Sequence, residues 1–329
     1  MVADNSSTPA CAPLAIFAFN RFETLEKVLG RLSKCDSLTC GGERAGYAFL
    51  DGARSGNADD VKKIAVVREL IERFKRDHFP TLKIVFRPRN YGNTENMPQG
   101  ISEVLERHGR VIVVEDDILV SRYFLEYMDE ALERYANDSR IWCINAWRNR
   151  LVKVPSNYPY DVYLTPRAMC WGWGTWKDRW ETVDFGMQDW PEFKADVANV
   201  ERLDDIGIEM KWMLDEQYAG RLKAWDVQCV YHMVKKGLYA IEPRLALTKN
   251  IGFGTDCDHC SHPNIDISTA KYYDFLPQLP DAIEPDRGIY GGYRYGRVCP
   301  MLFERIKRNV KRLLWNIGSS NDEPKMCFR

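Results

Sequence analysis

VIVVEDDILV, Val111 to Val120, runs four branched apolar residues directly into Glu115, Asp116 and Asp117. The apolar run reads as a strand buried on both faces, the pattern of an interior strand in a parallel sheet. Three adjacent carboxylates at its end repel one another and raise their own pKa values unless a cation or hydrogen-bond donors compensate. Hard cations such as Mn²⁺ and Mg²⁺ are held by one or two carboxylates together with phosphate oxygens and water. The arrangement therefore points to a divalent ion carrying a nucleotide diphosphate. A solvated acidic turn is the plainer alternative, and it is the position at a strand end, not the run of acids itself, that argues against it.

Working outward, the preceding chain alternates between two periods. PLAIFAFN (Pro13 to Asn20) is a buried-strand run, and the segment after it places Leu25, Val28, Leu29 and Leu32 at helical spacing. YAFLD ends in Asp51 and a Gly-containing loop. Lys62 to Phe74 is predicted helical, Leu82 to Arg87 a third strand, and a further helix reaches about Arg107. This alternation predicts an α/β, Rossmann-like, mostly parallel sheet with helices on both faces. Binding crevices of such sheets lie at the carboxyl ends of the strands. Asn20–Arg21, Asp51 and Glu115–Asp117, far apart in sequence, all belong to that edge. After the triplet, Tyr123 to Tyr135 reads as a helix and RIWCINAW as a strand. Proline, tyrosine and tryptophan then become frequent, which suits an acceptor-facing half laid over the same sheet. The expected organisation is a flexible start (1–12), a nucleotide-sugar half (13–150), an acceptor and catalytic half (151–275), and a C-terminal tail (276–329).

Bulk properties narrow the function. At 329 residues the chain can bury a sizeable core, and a net charge of -1 argues against a dedicated nucleic-acid binder. The ten cysteines are scattered, several within apolar runs, so a reducing compartment is the simpler reading. The N-terminus has no basic, long-apolar leader pattern, and no run of eighteen apolar residues occurs, so a cytoplasmic setting is expected. CDHCSH (Cys257 to His262) offers one C-x-x-C pair, but a structural zinc site usually needs a second. MLFERIKRNVKRLLWNIG near the C-terminus has a basic amphipathic pattern suited either to an anionic membrane surface or to docking on the domain.

VIVVEDDILVSRYFLEYM followed by SRIWCINAW resembles the Golgi enzyme family that adds N-acetylglucosamine to the mannose core of N-glycans, and its bacterial relatives. The resemblance extends from about Leu14 to Cys260. It implies a GT-A fold, a metal-dependent inverting glycosyltransferase, Mn²⁺ or Mg²⁺ as cofactor, a UDP-sugar donor, and a glycan or lipid-linked saccharide acceptor. By the same resemblance Arg21 holds the nucleotide, Asp51 reads the uracil edge, and Asp117 binds the metal. Glu115 and Asp116 face the nucleoside and ribose. Gly172 and Trp173, in CWGWGTW, line the sugar pocket; Asp226, in AWDVQ, is the catalytic base; His259 belongs to a loop closing over the diphosphate. Residue chemistry alone leaves Asp215 and Glu216 as eligible as Asp226. The chain departs from the family where a histidine near the base is replaced by Asn96, where the Trp-Asp element lacks a doubled acid, and in having no stem or anchor. Alternatives are a sugar-nucleotide nucleotidyltransferase, although FNRFETLE has no Gly-rich loop after the first strand, and a non-catalytic nucleotide-sugar or carbohydrate-binding module.

Overall fold

The computed structural model describes residues 11–149, 152–252 and 272–293. Strands β1 (Leu14–Ala18), β2 (Gly46–Leu50), β3 (Leu82–Phe86) and β4 (Arg110–Glu115) alternate with helices α1 (Phe22–Leu32), α2 (Ala58–His78) and α3 (Asn93–His108). A short β5 (Ile118–Val120) and α4 (Phe124–Arg134) lead to β6 (Ile141–Asn145). Beyond it come β7 (Val162–Thr165), β8 (Trp173–Trp176), and the helices α5 (Lys177–Trp180), α6 (Trp190–Ala195), α7 (Val197–Asp205), α8 (Met210–Tyr218) and α9 (Asp226–Lys236). Strands β9 (Tyr239–Pro243) and β10 (Thr248–Asn250) follow, and then the short α10 (Arg287–Tyr290).

Eight strands form one sheet in the order β3-β2-β1-β4-β8-β6-β9-β7. The first four are parallel; β8 is inserted antiparallel between β4 and β6, and β7 runs antiparallel to β9 at the edge. This is the mostly parallel α/β sheet with helices on both faces that the strand–helix alternation predicts. It is continuous across residue 150, so the two expected halves share a single sheet.

Side-chain alternation along β1 explains why helices cover both faces. Leu14, Ile16 and Ala18 join the core under α1, α2 and α4, while Ala15 and Phe17 join Met97, Ile101 and Val104 of α3 on the other side. The predicted stripe on α1 is fully buried. Helix α2 begins four residues earlier than expected because the Asn57 side chain accepts from the Asp59 and Asp60 amides, capping the free N–H groups there. A third, smaller core joins α6 to α9 through Trp190, Leu203, Leu214 and Tyr231.

One expectation loses its support. Cys11 and Cys40 form a disulfide, closing a ring of sequence separation 29. The parallel register Leu14↔Gly46 brings the segments before β1 and β2 together, which spacing along the chain did not reveal. Disulfides persist in oxidising compartments, so the inference of a reducing setting loses its basis. Among the described residues no helix is long and apolar enough to cross a membrane. The C-x-x-C pair and the basic C-terminal helix lie outside the described residues.

Candidate functional site

The parallel register of β1 and β4 sets Phe17 beside Glu115, so the chain leaving β1 runs alongside the acidic triplet. The Phe19 amide donates to Asp116 at 3.3 Å. The Arg21 guanidinium pairs with Asp116 and, at 3.0 Å, donates to Asp117. These donors answer part of the repulsion. Burial nevertheless pushes Glu115 well above the usual carboxylate range, with Asp117 and Asp116 adding to the rise against the opposing pull of Arg21. Asp117 is pushed up to about 6, mainly by burial, with Arg21 opposing and Asp116 reinforcing.

The turn is clamped from the other side. β5 pairs with β10, and the Ile251 amide donates to the Asp117 carbonyl at 2.8 Å. Gly252 follows, so close that a Cβ there would lie 2.0 Å from Asp117 Oδ2.

Asp226 is the first residue of α9, where the positive end of the helix favours an anion. Cys170 Sγ stands 3.6 Å from Asp226 Oδ2. Burial first, then Asp226 and Glu115, hold the Cys170 thiol well above its usual range, and Asp226 adds to the rise at Glu115. The arrangement thus gathers Arg21, Glu115, Asp116 and Asp117, with Asp226 and Cys170 within electrostatic reach of Glu115. Asp215 is drawn off by Lys194 and Lys211, each at 2.9 Å, and Glu216 by Arg221 at 2.9 Å. Of the three acids left open by residue chemistry, Asp226 is the one whose charge acts on Glu115 of the triplet.

Three expected contacts do not fit this geometry. Asp51 is buried and its carboxylate is saturated: it accepts from the Gly52, Tyr91 and Gly92 amides and from Asn90 Nδ2, at 2.8 to 3.0 Å. It fastens the loop after β3 and has no oxygen free to read a nucleobase. Trp173 is 2% exposed and stacked between Trp142 and Trp225, with centroids 5.8 and 5.7 Å away. Its ring supports the residue before Asp226 from within the core and does not line a sugar pocket. Gly172 is buried at φ +80°, where a Cβ would meet Thr248 Cγ2 at 2.7 Å. It shapes the turn into β8; the partly exposed ring of this segment belongs to Trp171. Asn96 is likewise engaged, accepting from Arg87 Nε at 2.9 Å. His259 lies outside the described residues.

Sequence reasoning missed the support beneath the crevice. Asp60, buried in the first turn of α2, accepts from Asn20 Nδ2 at 2.8 Å and from Arg54 Nε at 2.7 Å. Hydrogen bonds from Arg54 hold its carboxyl down at about 2. The Asn-x-Asp-Asp pattern at 57–60 was the available signal, but it reads equally as a surface helix start.

Among the described residues no three His, Cys, Asp or Glu side chains form a cage for a metal ion. The donors instead suit Mn²⁺ or Mg²⁺ taking one or two carboxylates and completing its shell with phosphate and water. The raised Glu115 and Asp117 carboxyls are the groups whose repulsion such an ion would relieve.

Residues 101–196 match the model of the GNT-I family, which over that segment bears out the resemblance carried by the acidic triplet and the glycosyltransferase class it implies. No curated protein matches the sequence. Solved structures that resemble the chain in part include the mannosyltransferase PcManGT from Pyrobaculum calidifontis in complex with GDP-Man and Mn²⁺ (14% identity, 53% of this chain and 48% of that one, TM-score 0.33). S. aureus TarS 1-349 is 10% identical over 72% of this chain and 59% of its own, with TM-score 0.39. GalNAc-T7 with UDP, GalNAc and Mn²⁺ is 10% identical over 72% and 43%, with TM-score 0.45. The chain thus spans roughly half the length of these structures.

Proposed function

We propose that the protein is a metal-dependent, inverting glycosyltransferase that moves N-acetylglucosamine or a related hexose from a UDP-sugar to a glycan or lipid-linked saccharide. The observation that supports this reading is that Asp226, the first residue of α9, lies within electrostatic reach of Glu115 in the Arg21-bound triplet, with Cys170 Sγ 3.6 Å from its carboxylate. Asp226 takes the proton from the acceptor hydroxyl as its oxygen attacks the anomeric carbon. The bond from that carbon to the diphosphate breaks in the same displacement, so one attack from the opposite face inverts the centre. Arg21 is positioned to receive the negative charge that develops on the leaving diphosphate. Asp117 and, beside it, Glu115 would hold Mn²⁺ or Mg²⁺, which supplies further charge neutralisation when bound. Asp116, paired with Arg21 and the Phe19 amide, orients the guanidinium. Asp51 belongs to the scaffold on this reading, so base selection is left to other groups.

Thermal denaturation with a panel of nucleotide sugars, with and without Mn²⁺, tests the proposal. A donor at about 100 times its dissociation constant stabilises by about 2.7 kcal/mol. A UDP-sugar should therefore stand out, and only with metal. Asp226→Asn should keep that stabilisation while losing transfer by roughly 10²- to 10⁴-fold. Stabilisation by no nucleotide sugar, or near-normal turnover in Asp226→Asn, would overturn it.

A further inference from the structure

The Tyr- and Pro-rich segment after β6 and the segment before α10 meet in an open cleft of about 540 Å³, a size typical of small-ligand sites. One wall carries Tyr158 and Tyr160, packed edge to face with centroids 5.6 Å apart. Tyr160 is 38% exposed, so its ring presents a free face. The opposite wall carries Glu284, Asp286 and Arg287.

Both walls are fixed. Pro155 and Pro159 restrict the first and Pro285 the second. Arg244 Nη1 donates to the Tyr158 carbonyl at 3.4 Å, and the Gln278 amide donates to Asp161 at 3.1 Å. Arg140 binds both oxygens of Glu284, at 3.0 and 3.1 Å, and Asp286 caps α10 by accepting from the Gly288 amide at 2.8 Å. Arg287 pairs with Asp205 at the end of α7, tying the cleft to the helical layer that includes α9.

An exposed aromatic face opposite carboxylates and a guanidinium matches a pyranose ring, which has an apolar C–H face and a rim of hydroxyls. The cleft adjoins the edge strand β7. The register Val162↔Pro243 sets the start of β7 at the carboxyl end of β9, the edge that carries Glu115, whereas Arg140, which holds Glu284, precedes β6 at the opposite edge, so the cleft extends down the side of the sheet. Four strand spacings separate β4 from β7, about 19 Å, a distance an oligosaccharide spans and a monosaccharide does not.

We infer that the Tyr158–Tyr160 cleft is a distal subsite that binds a neutral sugar residue of an extended acceptor, away from the transfer crevice. Because the subsite rests on the transferase reading, binding is measured without donor, so that failure of one is distinguishable from failure of the other. Saturation-transfer NMR with mannotriose and with triacetylchitotriose should show at least one of them bound at millimolar concentration. Tyr160→Ala should weaken that binding roughly fivefold or more, the range expected for a lost aromatic contact. Tyr160→Trp, with a larger ring face, should bind at least as tightly and keeps the test open if the alanine variant folds poorly. Neither trisaccharide binding, or equal affinity in all three chains, would overturn the inference. Independently, the Mn²⁺-dependent stabilisation by a UDP-sugar should be the same in Tyr160→Trp as in the parent chain.

Discussion

Asp51 and Gly252 show how single positions acquire meaning only in the fold. Asp51 stands at the strand end where the resemblance places a base-reading acid, and its position on the carboxyl edge was legible from strand–helix alternation. Its chemistry was not, because the donors that saturate it come from the loop after β3, about forty residues on. Asp51→Ala should strand those donors and cost about 2–4 kcal/mol, read as a lower denaturant midpoint, while the preference among nucleotide bases stays as it was. Gly252 carried no signal at all, yet it is pressed against Asp117. Gly252→Ala should push the Asp117 carboxylate aside. Thermal shift should then record a reduced Mn²⁺-dependent donor effect in a chain whose ligand-free melting temperature has changed little. The triplet itself was readable because a strand end, a helix start and an acidic turn are all local features. The roles of Gly172 and Trp173 were not, since only the packing of β8 decides which tryptophan of that segment is buried.

Elements were legible in proportion to their periodicity. The stripe on α1 and the uniformly apolar β1 and β4 announced themselves; the insertion of antiparallel β8 did not, because a four-residue strand has no distinctive pattern. Helix α9 illustrates what burial adds. It starts with Asp226 and carries His232 in its second turn, against Trp142 and within 3.1 Å of Thr182 Oγ1. Burial, assisted by Lys236 and Lys235, lowers the His232 pKa from 6.5 to about 4. The folded chain therefore refuses a proton that the unfolded chain accepts between those values. Stability should be complete above about pH 6.5 and fall as pH drops toward about 4. Urea midpoints across that window check the slope, and His232→Gln should flatten it. If the slope is unchanged in that variant, the acid sensitivity belongs to other groups.

At the scale of the whole molecule, the disulfide and the sheet set where the structure gives way. Closing a ring of sequence separation 29 contributes about 3–4 kcal/mol in the chain-entropy account, so reductant or Cys40→Ser should lower the denaturation midpoint correspondingly. No spacing rule could have paired these two among ten cysteines, since their encounter depends on the parallel register of β1 and β2. The sheet bears on dynamics as well. β4 lies at its centre, hydrogen-bonded on both sides, whereas α6 to α8 rest on a small helical core that α9 joins to the sheet through Cys229 and Met233. Amide protons of β1 and β4 should accordingly be the last to exchange with deuterium, and those of α6 to α8 among the earlier ones. The acids that would grip the donor are thus rooted in the slowest-opening part of the protein, and the proposed base on a helix with one face in that core and the other in a layer that opens sooner. Warming should loosen acceptor chemistry before it loosens donor capture, leaving a temperature range in which the nucleotide sugar is still held but no longer passed on.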